Sequence, residues 1–576
     1  MTRVHVAKRW VALSVCLIVC LAASVAASAQ SIPGEQQQQY AARMKWWKDA
    51  RFGWFICWGP CSLMASEIGW SRNGPRPGIG VGEGGIPMDV YDNLYKRFNP
   101  TQFDAKAWVD AIKKSGAKYM IFLTRHHDGF SMFDTQYSDY KITNTPFGRD
   151  VCAELAKACH EAGIKIIWYY SQPDWHNPDY LTEHQDRFIK YLQGQVRELL
   201  TKYGKIDGMW FDGLQGTAKD WDSERLVKMI HELQPGIIIN NRAGVPGDFG
   251  TPEQVIGAFD IKNPWETCIT QGTGWSWTGS DAPVKSYEWC IDTLVRCAGG
   301  GGNLALDTGP MPDGRIDPRQ IDNYMKMGQW LGKYGVSIYE TTGGPWRPGP
   351  WGAAARKGDT IYLHVLAWPE RQLRLPPIEG KIVACRALTG GTPTFRQGQR
   401  SVVVNLPAQD RDKIDTIIAL TVDGSAGDIP AESQLPPGAL TLHGKASASS
   451  VWSEGYTADK AFDGDTDTRW GAAPGSRSGW LQVDLGKPMA ISQVVILEEP
   501  WNRVRKYQLQ YQDGNEWRTF HEGTTLGDLH LRFPQITAQV VRLNILEAVE
   551  VPTIWEFALY GPSQRPGRLV TAPKHE

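Results

Sequence analysis

The 576-residue sequence predicts a multidomain protein: a (β/α)8-type barrel, then a small antiparallel β-sandwich, then a third unit that is again all β. Three observations lead to this prediction. Strand-like apolar runs alternate with amphipathic helical stretches over residues 30–342, shorter alternating runs separated by Gly and Pro turns fill residues 343–425, and a similar β pattern returns after a polar stretch. The hydrophobic content of 42% is typical of a globular protein.

Residues 1–29 have the pattern of a signal peptide. Arg3, Lys8 and Arg9 give a basic start, an apolar run follows, and Ala27 and Ala29 supply the small residues that precede a cleavage site. The apolar run is short for a membrane span, and the sequence shows no second candidate. We therefore expect cleavage after Ala29, no membrane span in the mature protein, and a periplasmic or secreted location.

The barrel prediction depends on repeated strand–helix units. Strand-like runs lie at residues 52–58, 119–123, 164–170, 208–211, 237–240 and 303–307, with helical stretches between them. Such repeats over about 300 residues favour a barrel. A doubly wound open sheet is the alternative, and it is disfavoured because no G-x-G-x-x-G follows the first strand.

The rest of the chain divides by composition. Residues 426–437 are rich in Pro, Ser, Gly and acidic residues, which predicts a linker. Residues 438–562 form the predicted third unit, and residues 563–576 form a predicted tail.

Charge and cysteine content exclude several kinds of partner and cofactor. The net charge is −1 and no long basic run occurs, so the sequence gives no support for nucleic-acid binding. No Cys/His cluster has the spacing of a zinc site, and no cofactor for catalysis is predicted. Nothing in the sequence indicates an oligomeric state. The 25 Trp residues fit either large cores or sugar-binding surfaces.

Polar residues collect where the predicted barrel strands end. Arg125, His126 and His127 follow one strand, Asp212 ends another, and Arg242 follows the next. The carboxyl ends of barrel strands form one face, which holds the active site in enzymes of this architecture. Asp212, preceded by Trp210 and Phe211, is either a catalytic carboxylate of the kind that glycoside hydrolases use in pairs or a turn-forming Asp before Gly.

Ten motifs in residues 40–345 resemble glycoside hydrolase family 29, the α-L-fucosidases. They are RFGWFICWGP (51–60), EIGW (67–70), LTRHHDGFSMFDT (123–135), NTPFGRDV (144–151), WYYSQPDW (168–175), GMWFDG (208–213), NNRAG (240–244), GDFGTPE (247–253), PWETC (264–268) and GGNLALDTGPMPDG (301–314). Each motif is weak alone, but ten in order are specific.

The resemblance implies a retaining exo-α-L-fucosidase acting on fucosylated glycans by double displacement. Asp212 matches the nucleophile of the family. Glu253 matches one placement of the acid/base residue, and Glu266 is the second candidate. The substrate-binding positions that the resemblance implies are Trp58, Glu67, His126, His127, Tyr169, Arg242 and Trp277.

One position departs from the family pattern. Cys57 stands where the family usually has a His that binds the axial 4-hydroxyl of fucose. A thiol is a weak hydrogen-bonding group. One alternative to fucosidase activity therefore stays open: the same mechanism on another α-L-sugar, as an α-L-glucosidase or α-L-galactosidase. A second alternative, which does not depend on Cys57, is a non-catalytic glycan-binding protein; it is disfavoured because Asp212 and two candidate acids are present.

The third unit resembles the discoidin, or coagulation factor type C, modules of carbohydrate-binding family 32. The matching motifs are KAFDGDTDTRWGA (460–472), GWLQVDLG (479–486), KYQLQYQDGNEW (506–517) and IWEFALYG (554–561). The resemblance implies a C-terminal β-sandwich jelly roll with a structural Ca²⁺ bound by Asp463, Asp465, Thr468 and Glu556. The alternative for these residues is a solvated acidic turn.

Overall fold

The computed structural model describes residue 32 and residues 34–562, apart from residues 83–84, 214–215, 370, 400, 433–434, 436–437, 467 and 499–502. The predicted signal peptide (1–29) and tail (563–576) lie outside the described residues. The chain divides into two compact units, one ending at Ala431 and the other beginning at Glu432. Over the described residues, no helix has the length and apolar character needed to cross a bilayer.

The α-helices of the described residues belong to the first unit. They are α1 (Gln37–Ala50), α2 (Met88–Tyr91), α3 (Ala105–Lys114), α4 (Val151–Ala162), α5 (Gln185–Thr201), α6 (Ser223–Leu233), α7 (Tyr287–Gly300) and α8 (Pro318–Tyr334). Side chains cap several of them as the sequence suggests. Asp150, for example, accepts a hydrogen bond from the amide of Ala153 at the start of α4, and Gly163 with φ of 73° ends that helix.

A parallel sheet forms the centre of the first unit. The strands of this region are β1 (Phe52–Ile56), β2 (Gly74–Arg76), β3 (Gly80–Gly82), β4 (Tyr119–Arg125), β5 (Lys165–Ser171), β6 (Gly208–Asp212), β7 (Ile238–Ile239), β8 (Glu266–Thr270) and β9 (Asn303–Thr308). Strands β2 and β3 form a separate hairpin. The other seven form one curled sheet in the order β7-β6-β5-β4-β1-β9-β8, with every pair parallel.

Successive side chains of these strands enter two different cores. Trp210 and Tyr169 pack with Phe55 in the core on the inner face of the curled sheet. Met209 and Phe211, the neighbours of Trp210 in β6, pack in the core between the sheet and the helices. Because both faces of the sheet are covered, the strands read as continuous apolar runs. This alternation decides which side chains at the strand ends point inward.

An extended segment joins the two edges of the curled sheet. Residues 248–254 follow β7 and are bridged to both sides: Phe249 pairs with Asn240, and Glu253 pairs with Cys268 of β8. The amide of Gln254 donates to the carbonyl of Cys268 at 2.9 Å. The position of Glu253 is therefore fixed by backbone pairing.

Two further sheets complete the first unit. Strands β10 (Thr342–Gly343), β11 (Gly352–Lys357), β12 (Thr360–Val365), β14 (Ile382–Ala387) and β17 (Thr416–Val422) form one antiparallel sheet, and β13 (Leu373–Leu375), β15 (Thr394–Gly398) and β16 (Ser401–Asn405) form the other. Side chains from both sheets share one apolar core. Ala426 and Ile429 are buried in that core, so the first residues of the predicted linker 426–437 belong to this region.

The second unit is all β. Its strands are β18 (Lys445–Ala448), β19 (Trp470–Gly471), β20 (Gly479–Glu498), β21 (Val504–Asp513), β22 (Glu516–Gly523), β23 (Asp528–Ala548) and β24 (Thr553–Tyr560). All of the described pairs are antiparallel. The long strands β20 and β23 pair along most of their length, and irregularities interrupt their register.

A buried ion pair holds helix α1 to the bridging segment. The Arg43 guanidinium donates two hydrogen bonds of 2.8 Å to the carboxylate of Asp248, and it also binds Glu35. The side chains of Arg43 and Asp248 are 6% and 0% exposed. Removing one partner of such a pair leaves an uncompensated buried charge.

We predict that Arg43→Met lowers the free energy of unfolding by about 3–5 kcal/mol, because the buried carboxylates of Asp248 and Glu35 both lose the guanidinium that donates to them. Urea denaturation followed by tryptophan fluorescence measures the change. Lys106→Met, which breaks the exposed pair with Asp110, is the control and should leave stability unchanged. Equal effects of the two substitutions would contradict the prediction.

Candidate active site

A cavity of about 140 Å³ opens at the carboxyl ends of the parallel strands. Its lining combines aromatic side chains with a small set of polar groups, as in many small-molecule sites. The lining residues are Phe55, Cys57, Trp70, Ile79, Leu123, His126, His127, Tyr169, Pro173, Trp175, Trp210, Asp212, Gly213, Arg242, Glu253 and Trp275.

Asp212 lies in this cavity because it is the last residue of β6 and shares the inward face with Trp210. Gly213 follows with φ of 78°, and a Cβ there would lie 2.6 Å from the ring of His127. Glycine therefore allows both the turn and the close approach of the imidazole. The Asp212 carboxylate accepts a hydrogen bond from the hydroxyl of Tyr169 at 2.8 Å.

Arg242 links the two carboxylates of the cavity. Its Nη1 lies 2.8 Å from Oδ1 of Asp212 and 2.9 Å from Oε2 of Glu253. Since both oxygens are bound by the same nitrogen, they can be no more than 5.7 Å apart. Thr251 accepts two further hydrogen bonds from the guanidinium, through its hydroxyl and its carbonyl, and so fixes the orientation of Arg242.

Asp212 is held in its ionised form. Burial by itself raises the pKa of Asp212, but the positive charge of Arg242 opposes it, followed by His127 and the hydroxyl of Tyr169. The net result is a pKa lowered to about 2. The carboxylate is therefore available as a nucleophile over the whole range in which the protein is expected to be folded.

The two candidate acids lie in different places. Glu253 lines the cavity, and its side chain is 42% exposed. Glu266 begins β8, is 0% exposed, and accepts a hydrogen bond from the hydroxyl of Tyr119. Burial raises the pKa of Glu266 to about 7. That value would suit an acid, but Glu266 does not line the cavity, whereas Glu253 does.

His126 and His127 both line the cavity and are neutral. Burial lowers the pKa of His126 well below its usual value and that of His127 to about 4. Nδ1 of His127 lies 2.7 Å from the hydroxyl of Ser171, which itself donates to the carbonyl of Pro173 at 2.7 Å. The Ser171 hydroxyl must therefore accept from Nδ1–H. This leaves Nε2 as an acceptor, 3.7 Å from Asp212 Oδ2.

Three sequence-predicted binding residues do not line the cavity. Trp58 is fully buried on the outer side, against Phe98 and Trp108, because it follows the inward-facing Cys57. Trp277 does not line the cavity either, whereas Trp275 does.

The third of these residues, Glu67, supports the loop that carries Trp275. Its carboxylate accepts hydrogen bonds from the amides of Trp275 at 2.8 Å and of Ser276 at 3.3 Å. Glu67 thus positions an aromatic residue of the lining and does not itself face the cavity.

Most of the aromatic lining was not predicted from the sequence. Trp70, Trp175 and Trp210 line the cavity and stand within the family motifs, but no role was predicted for them. The signal that could have identified Trp210 is its position two residues before Asp212, which places both on the same face of a strand.

Cys57 contributes its thiol to the cavity wall, backed by a buried acid. Burial raises the pKa of the Cys57 thiol, and the neighbouring Asp307 raises it further. Burial also raises the pKa of Asp307 well above its usual value. Asp307 is 1% exposed, and its Oδ1 has no hydrogen-bond partner among the described residues. The thiol is therefore protonated, and it adjoins a buried carboxyl group whose protonated form burial favours.

In the second unit, three of the predicted calcium ligands form a compact group. The Thr468 hydroxyl lies 2.8 Å from Asp463 Oδ2, and the amide of Asp465 donates to Asp463 Oδ1 at 3.0 Å. Glu556 is 1% exposed, and its Oε1 lacks a hydrogen-bond partner within the described part of the chain. Burial raises the pKa of Glu556 to about 8, with Asp463 and Asp465 adding to the increase.

The first unit has the features of a retaining glycoside hydrolase. Two carboxylates lie within 5.7 Å of each other at the carboxyl ends of a parallel sheet, in a cavity lined by aromatic rings. The family model described as "Alpha-L-fucosidase" matches residues 18–336. The chain therefore belongs to the α-L-fucosidase family. A second model, "F5/8 type C domain", matches residues 445–557.

Individual relatives agree with this family. The chain is 25% identical over 409 residues to an α-L-fucosidase of Dictyostelium discoideum, and the match covers 63% of this chain and 86% of the relative. It is 27% identical over 360 residues to human plasma α-L-fucosidase, and this match covers 56% of this chain and 76% of the relative.

Solved structures give the same result. α-L-Fucosidase isoenzyme 1 from Paenibacillus thiaminolyticus has 34% identity and a TM-score of 0.61, covering 67% of this chain and 99% of that one. An α-L-fucosidase from Bacteroides thetaiotaomicron, trapped as a covalent intermediate with 2-fluoro-fucosyl fluoride, has 27% identity and a TM-score of 0.61, covering 70% and 100%.

We predict that Arg242→Met raises the pKa of Asp212, because it removes the largest of the influences that lower it. A group with a lowered pKa stays ionised until the pH falls through that pKa, so protonated Asp212 should appear at higher pH in the variant. Infrared difference titration measures the pKa of Asp212 from the C=O stretch of its protonated form. The blank for each protein is the same protein with the additional substitution Asp212→Asn.

Tyr169→Phe is the matched comparison for this titration. It removes one hydrogen bond and leaves the Arg242 charge in place, so it should raise the pKa of Asp212 by less. An unchanged titration in Arg242→Met would show that the guanidinium does not set the charge state of Asp212.

Proposed function

We propose that the protein is a retaining exo-α-L-fucosidase that hydrolyses terminal α-L-fucosyl residues of glycans by double displacement. The observation that carries this is the shared contact of Arg242 Nη1 with Asp212 and Glu253, which keeps their oxygens within 5.7 Å. Retaining enzymes have carboxyl groups about 5–5.5 Å apart, whereas inverting enzymes need room for a water molecule and have wider spacing.

In the first step, ionised Asp212 attacks the anomeric carbon and Glu253 donates a proton to the departing glycosidic oxygen. This forms a covalent glycosyl-enzyme and releases the aglycone. In the second step, Glu253 takes a proton from a water molecule, which attacks the anomeric carbon and releases Asp212. The partial exposure of Glu253 suits this role, because leaving group and water both approach from solvent.

The other lining residues would hold the sugar. Nε2 of His127 is an acceptor for a sugar hydroxyl, and His126 adds a second neutral ring. The aromatic faces of Trp210 and Trp275 suit the apolar side and the methyl group of a 6-deoxy sugar.

Cys57 supports the alternative of a different α-L-sugar. A protonated thiol backed by the buried Asp307 is a weak partner for a sugar hydroxyl. An enzyme with this wall at the 4-hydroxyl would keep the mechanism and prefer an α-L-glucoside, whose 4-hydroxyl is equatorial.

We also propose a complete architecture for each of the two units. The bridged segment 248–254 would take the place of an eighth strand and complete a (β/α)8-type barrel, with Glu253 at its carboxyl end. The two sheets that share one core would form the small β-sandwich. Bending of β20 and β23 at their irregularities would fold the second unit into a jelly roll.

We predict that wild-type protein releases the phenol from an aryl α-L-fucoside, and that Asp212→Ala lowers this turnover by several orders of magnitude because the covalent step is lost. Azide should restore activity and yield a glycosyl azide of inverted configuration. Release from an aryl α-L-glucoside alone would favour the alternative sugar, and no release from either would favour the non-catalytic glycan-binding protein.

We predict that Glu253→Ala slows hydrolysis of substrates with poor leaving groups far more than that of activated aryl substrates, because only the former need protonation. Steady-state kinetics with a series of aryl leaving groups measures the contrast. Glu266→Gln is the control and should preserve the leaving-group dependence of the wild type. If Glu266→Gln slows substrates with poor leaving groups selectively and Glu253→Ala does not, the acid is Glu266.

We further propose that the second unit holds a structural Ca²⁺ through oxygens of Asp463, Asp465, Thr468 and Glu556. Supporting this, the buried Glu556 carboxyl has an unpartnered oxygen, and the neighbouring Asp463 and Asp465 help to raise its pKa. A divalent cation would offset the energetic cost of burying these carboxylates in their charged form. Hard oxygen ligands of this kind suit Ca²⁺.

We predict that Ca²⁺ raises the thermal midpoint of the second unit relative to EDTA. The increase should grow as the pH rises from about 6 to 9, because Glu556 must lose its proton to bind the ion. Differential scanning calorimetry of the full chain measures it. Glu556→Gln should remove the effect, the exposed control Glu547→Gln should keep it, and an unchanged response in Glu556→Gln would refute the site.

Finally, we propose that the protein is exported. The basic start and apolar run of residues 1–29 support cleavage after Ala29 and a periplasmic or secreted enzyme. Such a location would give the enzyme access to external fucosylated glycans, which the family membership indicates as its substrates.

A further inference from the structure

Three side chains of the cavity have the geometry of a transition-metal site. His126, His127 and Asp212 each offer one ligand atom, and these atoms all lie within 4.8 Å of one another. Two imidazoles and one carboxylate form a donor set that Zn²⁺ binds readily, with bonds of about 2.0–2.2 Å. Three ligands plus a fourth open position match zinc sites that remain accessible to solvent.

The hydrogen bonds around His127 favour the tautomer that a metal requires. Its Nδ1–H is donated to the Ser171 hydroxyl, which is itself fixed by its bond to the carbonyl of Pro173. The lone pair of Nε2 is left on the side of Asp212 Oδ2, 3.7 Å away. Metal-binding histidines are typically oriented by such a bond from the other ring nitrogen.

His126 adds a second nitrogen donor close to the first. Its ring centroid lies 4.1 Å from that of His127. Its Nδ1 is packed against Gly69, since a Cβ built on that glycine would lie 2.4 Å from this nitrogen, so Nε2 is the nitrogen left to bind a metal.

One charge opposes a cation at this site. Arg242 lies 2.8 Å from Oδ1 of Asp212. Oδ2 is the oxygen nearer to His127, so a metal would bind the carboxylate through Oδ2 while Arg242 keeps Oδ1. The repulsion should weaken binding and make it reversible.

We propose that the cavity binds Zn²⁺ through His126, Nε2 of His127 and Oδ2 of Asp212, and that bound Zn²⁺ reversibly inhibits the enzyme by occupying the sugar site. The inhibition rests on the proposed function, because it requires Asp212 to be the nucleophile. Metal binding itself does not.

Binding is tested with Co²⁺ as a spectroscopic substitute for Zn²⁺, on tag-free full-length protein. Co²⁺ should produce visible absorption bands of a nitrogen-ligated site, and both Zn²⁺ and L-fucose should abolish them. His126→Gln and His127→Gln should each weaken Co²⁺ binding at least tenfold. The exposed control His184→Gln should bind as the wild type does.

Cys57→Ser separates this site from a thiolate site in the same cavity. It should leave the Co²⁺ spectrum unchanged if the three proposed ligands suffice. Loss of the spectrum in Cys57→Ser, or wild-type binding by both histidine variants, would overturn the proposal.

Inhibition is tested separately by kinetics. Zn²⁺ should raise the apparent KM for an aryl α-L-fucoside without changing kcat, and dialysis should restore the original KM. Inhibition that lowers kcat alone would overturn the proposed blocking of the sugar site. Were the protein inactive on every aryl glycoside, the proposed function would fail, while the Co²⁺ titration would still decide the metal site.

Discussion

The active-site cavity depends on the alternation of side chains along the strands of the curled parallel sheet, and residues that follow the strands complete its rim. Asp212, Trp210 and Tyr169 share the inward face, while their neighbours along the strands pack outward against helices. This constraint brings residues from distant parts of the sequence to one rim without any contribution from loop flexibility. It also means that shifting a strand by one residue would replace the polar lining with outer-core side chains.

The alternation explains which predictions from the sequence succeeded. Strand ends located Asp212, His127 and Arg242, because an apolar run followed by polar residues is a strong signal. The same reasoning failed for Trp58, since a continuous apolar run does not reveal which residues face inward. Strand β8 was not among the predicted strands, so the sequence did not show that Glu266 begins a strand and lies away from the cavity. Trp275 was missed in favour of Trp277, because its position depends on backbone bonds to the distant Glu67.

Burial and the ion pair with Arg242 set the charge states of the side chains that line the cavity. Arg242 keeps Asp212 ionised, whereas burial keeps both histidines neutral and favours the protonated form of Asp307. An anion held by one guanidinium beside neutral histidines suits a neutral sugar whose transition state develops positive charge at one carbon. None of these charge states could be predicted from the sequence, since each depends on burial and on partners from other strands.

The shared contact of Arg242 has a further effect during a catalytic cycle of the proposed kind. Once Asp212 becomes an ester, it no longer carries a charge, and the guanidinium is left with a single anionic neighbour. Glu253 has by then given its proton to the leaving group, so its carboxylate is the anion that stays bound to Nη1 of Arg242. One fixed cation would in this way hold the charged carboxylate in each half of the reaction.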